Sequence, residues 1–152
     1  MYIESIDSPI EQRHTGKGNP NAILHFSVSL NNRQQLLAQL PEYDSRAIVN
    51  KKSVSMADLA ALTASTGDEF AMFTRRSERL VIRGNSVRVN VDVDQAVELA
   101  AGGYKWSGHT HPGTDMSCLL ASPGDLAILN CFSQDRTTIY NSKGVHLEFW
   151  KE

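Results

Sequence analysis

The sequence is 152 residues long and 41% apolar, with 15 basic against 17 acidic residues and a net charge of −2. That length suits one domain with a single core, and no window approaches the ~18 consecutive apolar residues of a membrane helix. The charge balance argues against a nucleic-acid binder, which gathers basic excess into patches; the densest basic run, TRRSERLVIR, contains Glu78 and alternates charge with apolar residues, as a solvated strand face does.

The N-terminus, MYIESIDSPIEQRH, has no apolar stretch fit for a signal peptide. The chain is therefore expected to be soluble and cytoplasmic, with no export signal of its own. Cys118 and Cys131 make neither a disulfide framework nor a Cys-x-x-Cys pair, which fits a reducing compartment and excludes a thiolate zinc finger.

Residues 1–20 are polar and contain TGKGNP, and read as a lead-in or linker; residues 21–152 read as the domain. AILHFSV reads as a strand. NNRQQLLAQL reads as a short helix ended by Pro41, and RAIV as a short strand. SVSMADLAALTASTG reads as a helix capped by Ser55, with Asp58 three residues on and Gly67 closing it. EFAMFTRRSERLVIRGNSVRVNVDV is rich in β-branched and aromatic residues and predicts two or three antiparallel strands, turning near Ser77 and Asn85. DVDQAVELAAGG predicts a helix that starts near Asp92 or Asp94 and ends at Gly102-Gly103. YKWSGHTH reads as a strand, SPGDLAILNCF as a helix start, and TTIYNSKGVHLEFW as a hairpin turning at Ser142-Lys143-Gly144. This order predicts an α+β fold: a mixed, largely antiparallel sheet flanked by helices.

The chemistry concentrates in WSGHTHPGTDMSCLLASPGDLAIL. His109 and His111 are one residue apart. On a strand that spacing turns both imidazoles to one face, where they can converge on one ion; on a helix it would splay them. Pro112 removes a donor and stops the ladder, so the pair sits at a strand end. His14, His25 and His146 stand alone and read as ordinary residues. Asp125 is a candidate third ligand, since catalytic zinc keeps three protein ligands and one position for water. Yet SPGD is also a good helix start, with Ser122 as cap, Pro123 at the first position and an acid three residues after the cap. Both roles are compatible. Glu69, after a helix C-cap and before an apolar strand, is the candidate general base; neighbouring Asp68 should face the other way.

Together these residues resemble the JAMM metallopeptidase family, also called JAB or MPN, whose pattern is a glutamate, then His-x-His-Pro, then Ser-x-x-Asp. The resemblance spans residues from about 53 to 150 in motif and element order. It implies a curved sheet similar to that of cytidine deaminases and a Zn2+ ion bound by His109, His111 and Asp125. Glu69 would deprotonate the water and Ser122 would donate to the oxyanion. It also implies a hydrolase that cleaves peptide or isopeptide bonds, next to ubiquitin-like or sulfur-carrier protein tails in several members. The segment from His111 to Ser122 is longer than is usual in the family, and it brings in Asp115 and Cys118 as rival third ligands. The wording of LTASTGDEFAMFTRR and of the histidine segment resembles JAB-type domains of bacterial polymorphic toxins and phage proteins. That likeness implies delivery into a target cell by a larger exported protein, and an immunity protein as a partner.

Competing classes are weaker. The amidohydrolase type of His-x-His site sits on barrels of about 250 residues, and zinc deaminases need His-x-Glu and Pro-Cys-x-x-Cys, both absent. The alternative is a non-catalytic JAMM-like module that acts by protein–protein interaction. The presence of Glu69, both histidines, Ser122 and Asp125 argues against it.

Overall fold

The computed structural model describes residues 31–152. The expected lead-in over residues 1–20 and the expected strand over 22–28 lie outside the described residues. Six strands and four helices follow: α1 (residues 31–39), β1 (Arg46–Asn50), α2 (Met56–Thr66), β2 (Phe70–Arg75), β3 (Glu78–Arg83), α3 (Val93–Ala101), β4 (Lys105–Thr110), α4 (Pro123–Leu129), β5 (Arg136–Tyr140) and β6 (His146–Trp150). The sheet order is β1-β3-β2-β4-β5-β6. Every pair is antiparallel except β4–β5. The fold is the expected α+β type, with an open sheet. Among the described residues, no helix is long and apolar enough to cross a membrane.

The helices begin where the capping chemistry predicts. Ser55, Asp92 and Ser122 each accept from the backbone N–H three residues on, and the residue there returns a bond to the cap backbone. Gly67 closes α2 in the left-handed region at φ 76°. Of the stretch expected to give two or three strands, β2 and β3 are strands. Residues 84–92 instead form an irregular turn, in which the Asn85 side chain accepts from the N–H groups of Val87 and Arg88 and so diverts the backbone from a ladder. The Ser142-Lys143-Gly144 turn forms as expected, and Asn141 braces it by accepting from the N–H groups of Lys143 and Val145.

Helices cover both sheet faces. Leu36 and Leu40 at α1 and Met56, Leu59 and Leu62 of α2 pack on Phe70, Met72 and Val81. On the opposite face, Ala96 of α3 and Ile128 and Leu129 of α4 pack with Phe73, Leu80, Ile82, Trp106 and Phe132. The alternation along β2 and β3 therefore divides one sheet between two cores.

A bulge interrupts the β2–β4 ladder. Phe73 pairs with Trp106, but Met72 pairs with Gly108, so Ser107 has no opposite residue. Strict alternation would put Trp106 and His109 on opposite faces. The extra residue brings both to the face of Ala71 and Phe73, and their rings stack at 5.0 Å.

The 84–92 turn is packed against the start of β2. The Gly84 N–H donates to the Glu69 carbonyl at 2.7 Å, and the Glu69 N–H donates to the Asn85 carbonyl at 2.8 Å. A Cβ on Gly84 would lie 2.1 Å from the Arg88 carbonyl oxygen, so the backbone itself would have to move. Gly84→Ala should therefore destabilise the fold by about 1–3 kcal/mol, the usual range for overpacking. The urea midpoint reads this directly, and an unchanged midpoint would contradict the tight approach.

Candidate metal centre

The topology brings the candidate residues to one end of the two central strands, β2 and β4. β2 runs antiparallel to β4, so the start of one lies beside the end of the other. Ala71 pairs with His109, and the Phe70 N–H donates to Thr110 Oγ1 at 2.9 Å. Just beyond this pairing, Glu69 and His111 each bring a ligand atom within 4.8 Å of one on His109. Parity puts Glu69, His109 and His111 on the Ala71 face and Thr110 on the other, where its hydroxyl meets Thr63 of α2 at 2.5 Å. β4 and β5 are parallel, so the chain must cross over between them. That crossover carries α4, which sits on the same face as the histidines. Asp125 precedes Ile128 and Leu129 by three and four residues, so it shares their core-facing stripe.

The resulting cluster is buried. Glu69, His109 and Asp125 have no exposed surface, and His111 is 2% exposed. One ligand atom each from Glu69, His109 and His111 lies within 4.8 Å of the others, a spacing that can hold a metal ion. The two imidazole Nε2 atoms are 2.9 Å apart. Asp125 Oδ1 lies 3.1 Å from Nε2 of His109, and Oδ2 lies 3.4 Å from Nε2 of His111. Donors at ~2.0–2.1 Å from a tetrahedral zinc are about 3.3 Å from one another, so these separations match that edge to within a few tenths.

The protonation pattern also suits a cation. His111 Nδ1 is 2.7 Å from the Cys118 carbonyl. A carbonyl only accepts, so Nδ1 carries the hydrogen, and Nε2 is the ring nitrogen turned to the cluster. Burial pushes His109 down to about 4, which keeps its imidazole neutral near pH 7. Burial alone would raise Asp125, but its close contacts with the two histidines hold the carboxyl below the usual range. Neutral imidazoles and an ionised carboxylate are the metal-binding forms. Neither Glu69 oxygen has a hydrogen-bond partner, nor does Asp125 Oδ1. Burial raises the Glu69 carboxyl well above its ordinary value, and the Asp125 charge adds to the rise. Buried acceptors without donors call for a cation among them.

The structure brings together Glu69, His109, His111 and Asp125. Ser122 is held beside them, its hydroxyl oxygen accepting from the Asp125 N–H at 3.0 Å while the Ser122 N–H donates to Asp125 Oδ2 at 2.9 Å. Asp68 turns away, as parity predicts, to pair with Arg83 at 2.9 Å. The metal-spaced group is Glu69, His109 and His111; Asp125 lies against both histidines but outside that group, as do the two rival ligands, of which Asp115 is exposed and Cys118 is buried. Cys118 contributes its carbonyl instead. That role has no signature in the sequence, because any residue has a carbonyl. Set against protein-family models, curated proteins and solved structures, the chain matches none.

The shifted groups act oppositely on stability. His109, depressed in the folded protein, contributes stability that is full above its ordinary 6.5 and lost as pH falls toward about 4. Glu69, raised in the folded protein, contributes stability that is full below its ordinary 4.5 and diminishes as pH rises toward its folded value. Between those two ordinary values they oppose each other. Glu69→Gln removes one of them. The metal-free variant should therefore lose more stability than metal-free wild type on going from pH 6.5 to pH 4.5, read as urea midpoints. Equal losses would mean that Glu69 does not take up its proton in the folded state.

Proposed function

We propose that this chain is a zinc-dependent hydrolase of the JAMM type that cleaves a peptide or isopeptide bond. The observation that carries the reading is the buried Glu69 carboxylate without a donor, set against His109, His111 and Asp125. Mixed imidazole and carboxylate donors at tetrahedral spacing suit zinc. When bound by His109, His111 and Asp125, zinc lowers the pKa of water to about 7 and polarises a carbonyl.

The chain's own residues supply the rest. Glu69 is a carboxylate with a raised pKa, the property of a general base that takes a proton from water and returns it to the leaving amine. Ser122 accepts through its oxygen from the Asp125 N–H, so its own hydroxyl hydrogen remains to be donated to the oxyanion of the tetrahedral intermediate. The likeness to JAB-type toxin domains extends the proposal: the chain is an effector domain of a larger delivered protein, its substrate is a protein or peptide tail, and an immunity protein restrains it in the producing cell.

Metal content and turnover test the assignment separately. Glu69→Gln should keep one zinc per chain by atomic absorption, while cleavage of a mixed fluorogenic peptide library falls by about 10²–10⁴-fold. His109→Ala should lose the metal. Ser122→Ala should lower kcat by about 10²–10³-fold and reduce stability by about 1 kcal/mol through loss of the cap. Full activity in the Glu69 variant, or full zinc in the His109 variant, would overturn the reading.

A further inference from the structure

A cavity of about 400 Å³ lies next to the metal centre, between residues 88–92 on one side and Ser122 and Gly124 on the other. Both walls are tied to the residues that the proposed chemistry uses. The Arg88 carbonyl accepts from the Asn85 N–H at 2.9 Å, and the Asn85 carbonyl in turn accepts from the Glu69 N–H at 2.8 Å. The opposite wall is fixed to Asp125 through the Ser122 capping bonds. A group seated in the cavity therefore lies beside Ser122, with its position set relative to Glu69.

The lining states what the cavity would take. Val89 and Val91 are buried and supply apolar surface. Of the two charged side chains that line the cavity, Asp92 is engaged and Arg88 is not. The Asp92 carboxylate accepts from the Gln95 N–H at 2.8 Å as the α3 cap. Asn90 donates through Nδ2 to Asp44 at 3.2 Å, and its carbonyl accepts from Arg46 at 2.9 Å. Arg88 is exposed, and among the described residues its guanidinium has neither an ion-pair partner nor a hydrogen-bond acceptor. A planar fork of donors on a lining residue, beside the apolar surface of Val89 and Val91, suits a carboxylate on a short methylene stem.

We infer that this cavity is a substrate subsite that takes an acidic residue, glutamate above all, flanking the scissile bond, with Arg88 as its specificity-determining residue. The inference rests on the proposed peptide or isopeptide hydrolase. It adds a class of substrate: acidic peptide segments rather than basic or apolar ones. A lysine or arginine at that position would meet the like charge of Arg88, while the carboxylate in the lining, Asp92, is tied to the α3 cap through the Gln95 N–H.

The test is capture of peptides from a pooled library of acetylated, amidated hexapeptides on zinc-loaded Glu69→Gln protein, which does not turn them over. Captured peptides should be enriched about tenfold in glutamate and aspartate at one position, the preference expected of a charge-assisted pair. Arg88→Lys should keep a weaker acidic preference, and Arg88→Glu should exchange it for lysine and arginine. Arg88 is exposed, so both variants should keep the parent urea midpoint, which confirms that they fold. No acidic enrichment, an unchanged profile in Arg88→Glu, or no capture at all overturns the inference. Failure of the hydrolase reading shows elsewhere, in the metal content of wild type and its turnover.

Discussion

The pairing of β4 determines the rest of the centre. Its antiparallel neighbour is β2 and its parallel neighbour is β5. The first pairing sets the start of β2, and so Glu69, beside the end of β4, where the histidines lie. The second forces a crossover, because parallel strands cannot be joined by a tight turn. The crossover holds both the segment that presents the Cys118 carbonyl and the helix that presents Asp125. Side chains from three separate stretches, Glu69, the His109–His111 pair and Asp125, thus meet because one strand has neighbours of opposite sense. The ladder continues past the strand end, as the His111 N–H donates to the Tyr140 carbonyl at 2.9 Å, so even the second histidine sits on an ordered backbone.

That gathering works against the hydrophobic effect that built the core. Two carboxylates and two imidazoles lie in a region walled by Trp106, Phe73, Phe132 and Phe149, whose rings stack or meet edge to face. Removing a carboxylate from water without a partner costs several kcal/mol in real proteins. Asp125 is partly compensated by its contacts with the histidines and with the Ser122 N–H. Glu69 is not, and its raised carboxyl is the direct consequence. The surrounding fold therefore holds Glu69 in an environment that its own chemistry disfavours. Such an arrangement makes physical sense when the local charge balance includes a cation.

Much of this was legible in the sequence, and the illegible parts share a cause. Caps, helices and strands followed from local chemistry: Ser55 with Asp58, Asp92 with Gln95 and Ser122 with Asp125 are reciprocal pairs three residues apart, and each makes its box. The His109–His111 geometry followed from strand parity. The core-facing placement of Asp125 was readable too, from its spacing to Ile128 and Leu129. What escaped depends on a backbone event rather than on side-chain type. The bulge at Ser107 changes which residues share a face, and nothing in KWSGHT announces it beyond a glycine. Without it, Trp106 would face α2 and the His109 ring would lose its stacking partner. The same limit hid the Cys118 contact, made by a carbonyl whose side chain is irrelevant to it.

The long segment between His111 and Ser122 takes on a different meaning once the carbonyl contact is known. On sequence it offered rival ligands. In the structure its 3-10 turn over Met116–Leu119 buries Cys118 and Leu119, and the burial aims one carbonyl at His111 Nδ1. A flexible loop could not hold a single tautomer in that way; an anchored one can, because the packed side chains fix the backbone between them. The extra residues therefore act on the orientation of the imidazole. Strand ladders and a capped helix position the four buried side chains of the cluster. The turn over residues 84–92 and the segment after His111 are irregular, and both adjoin the centre from outside. With the four central side chains on regular elements and anchored irregular segments around them, the geometry of the cluster is fixed independently of the loops that surround it.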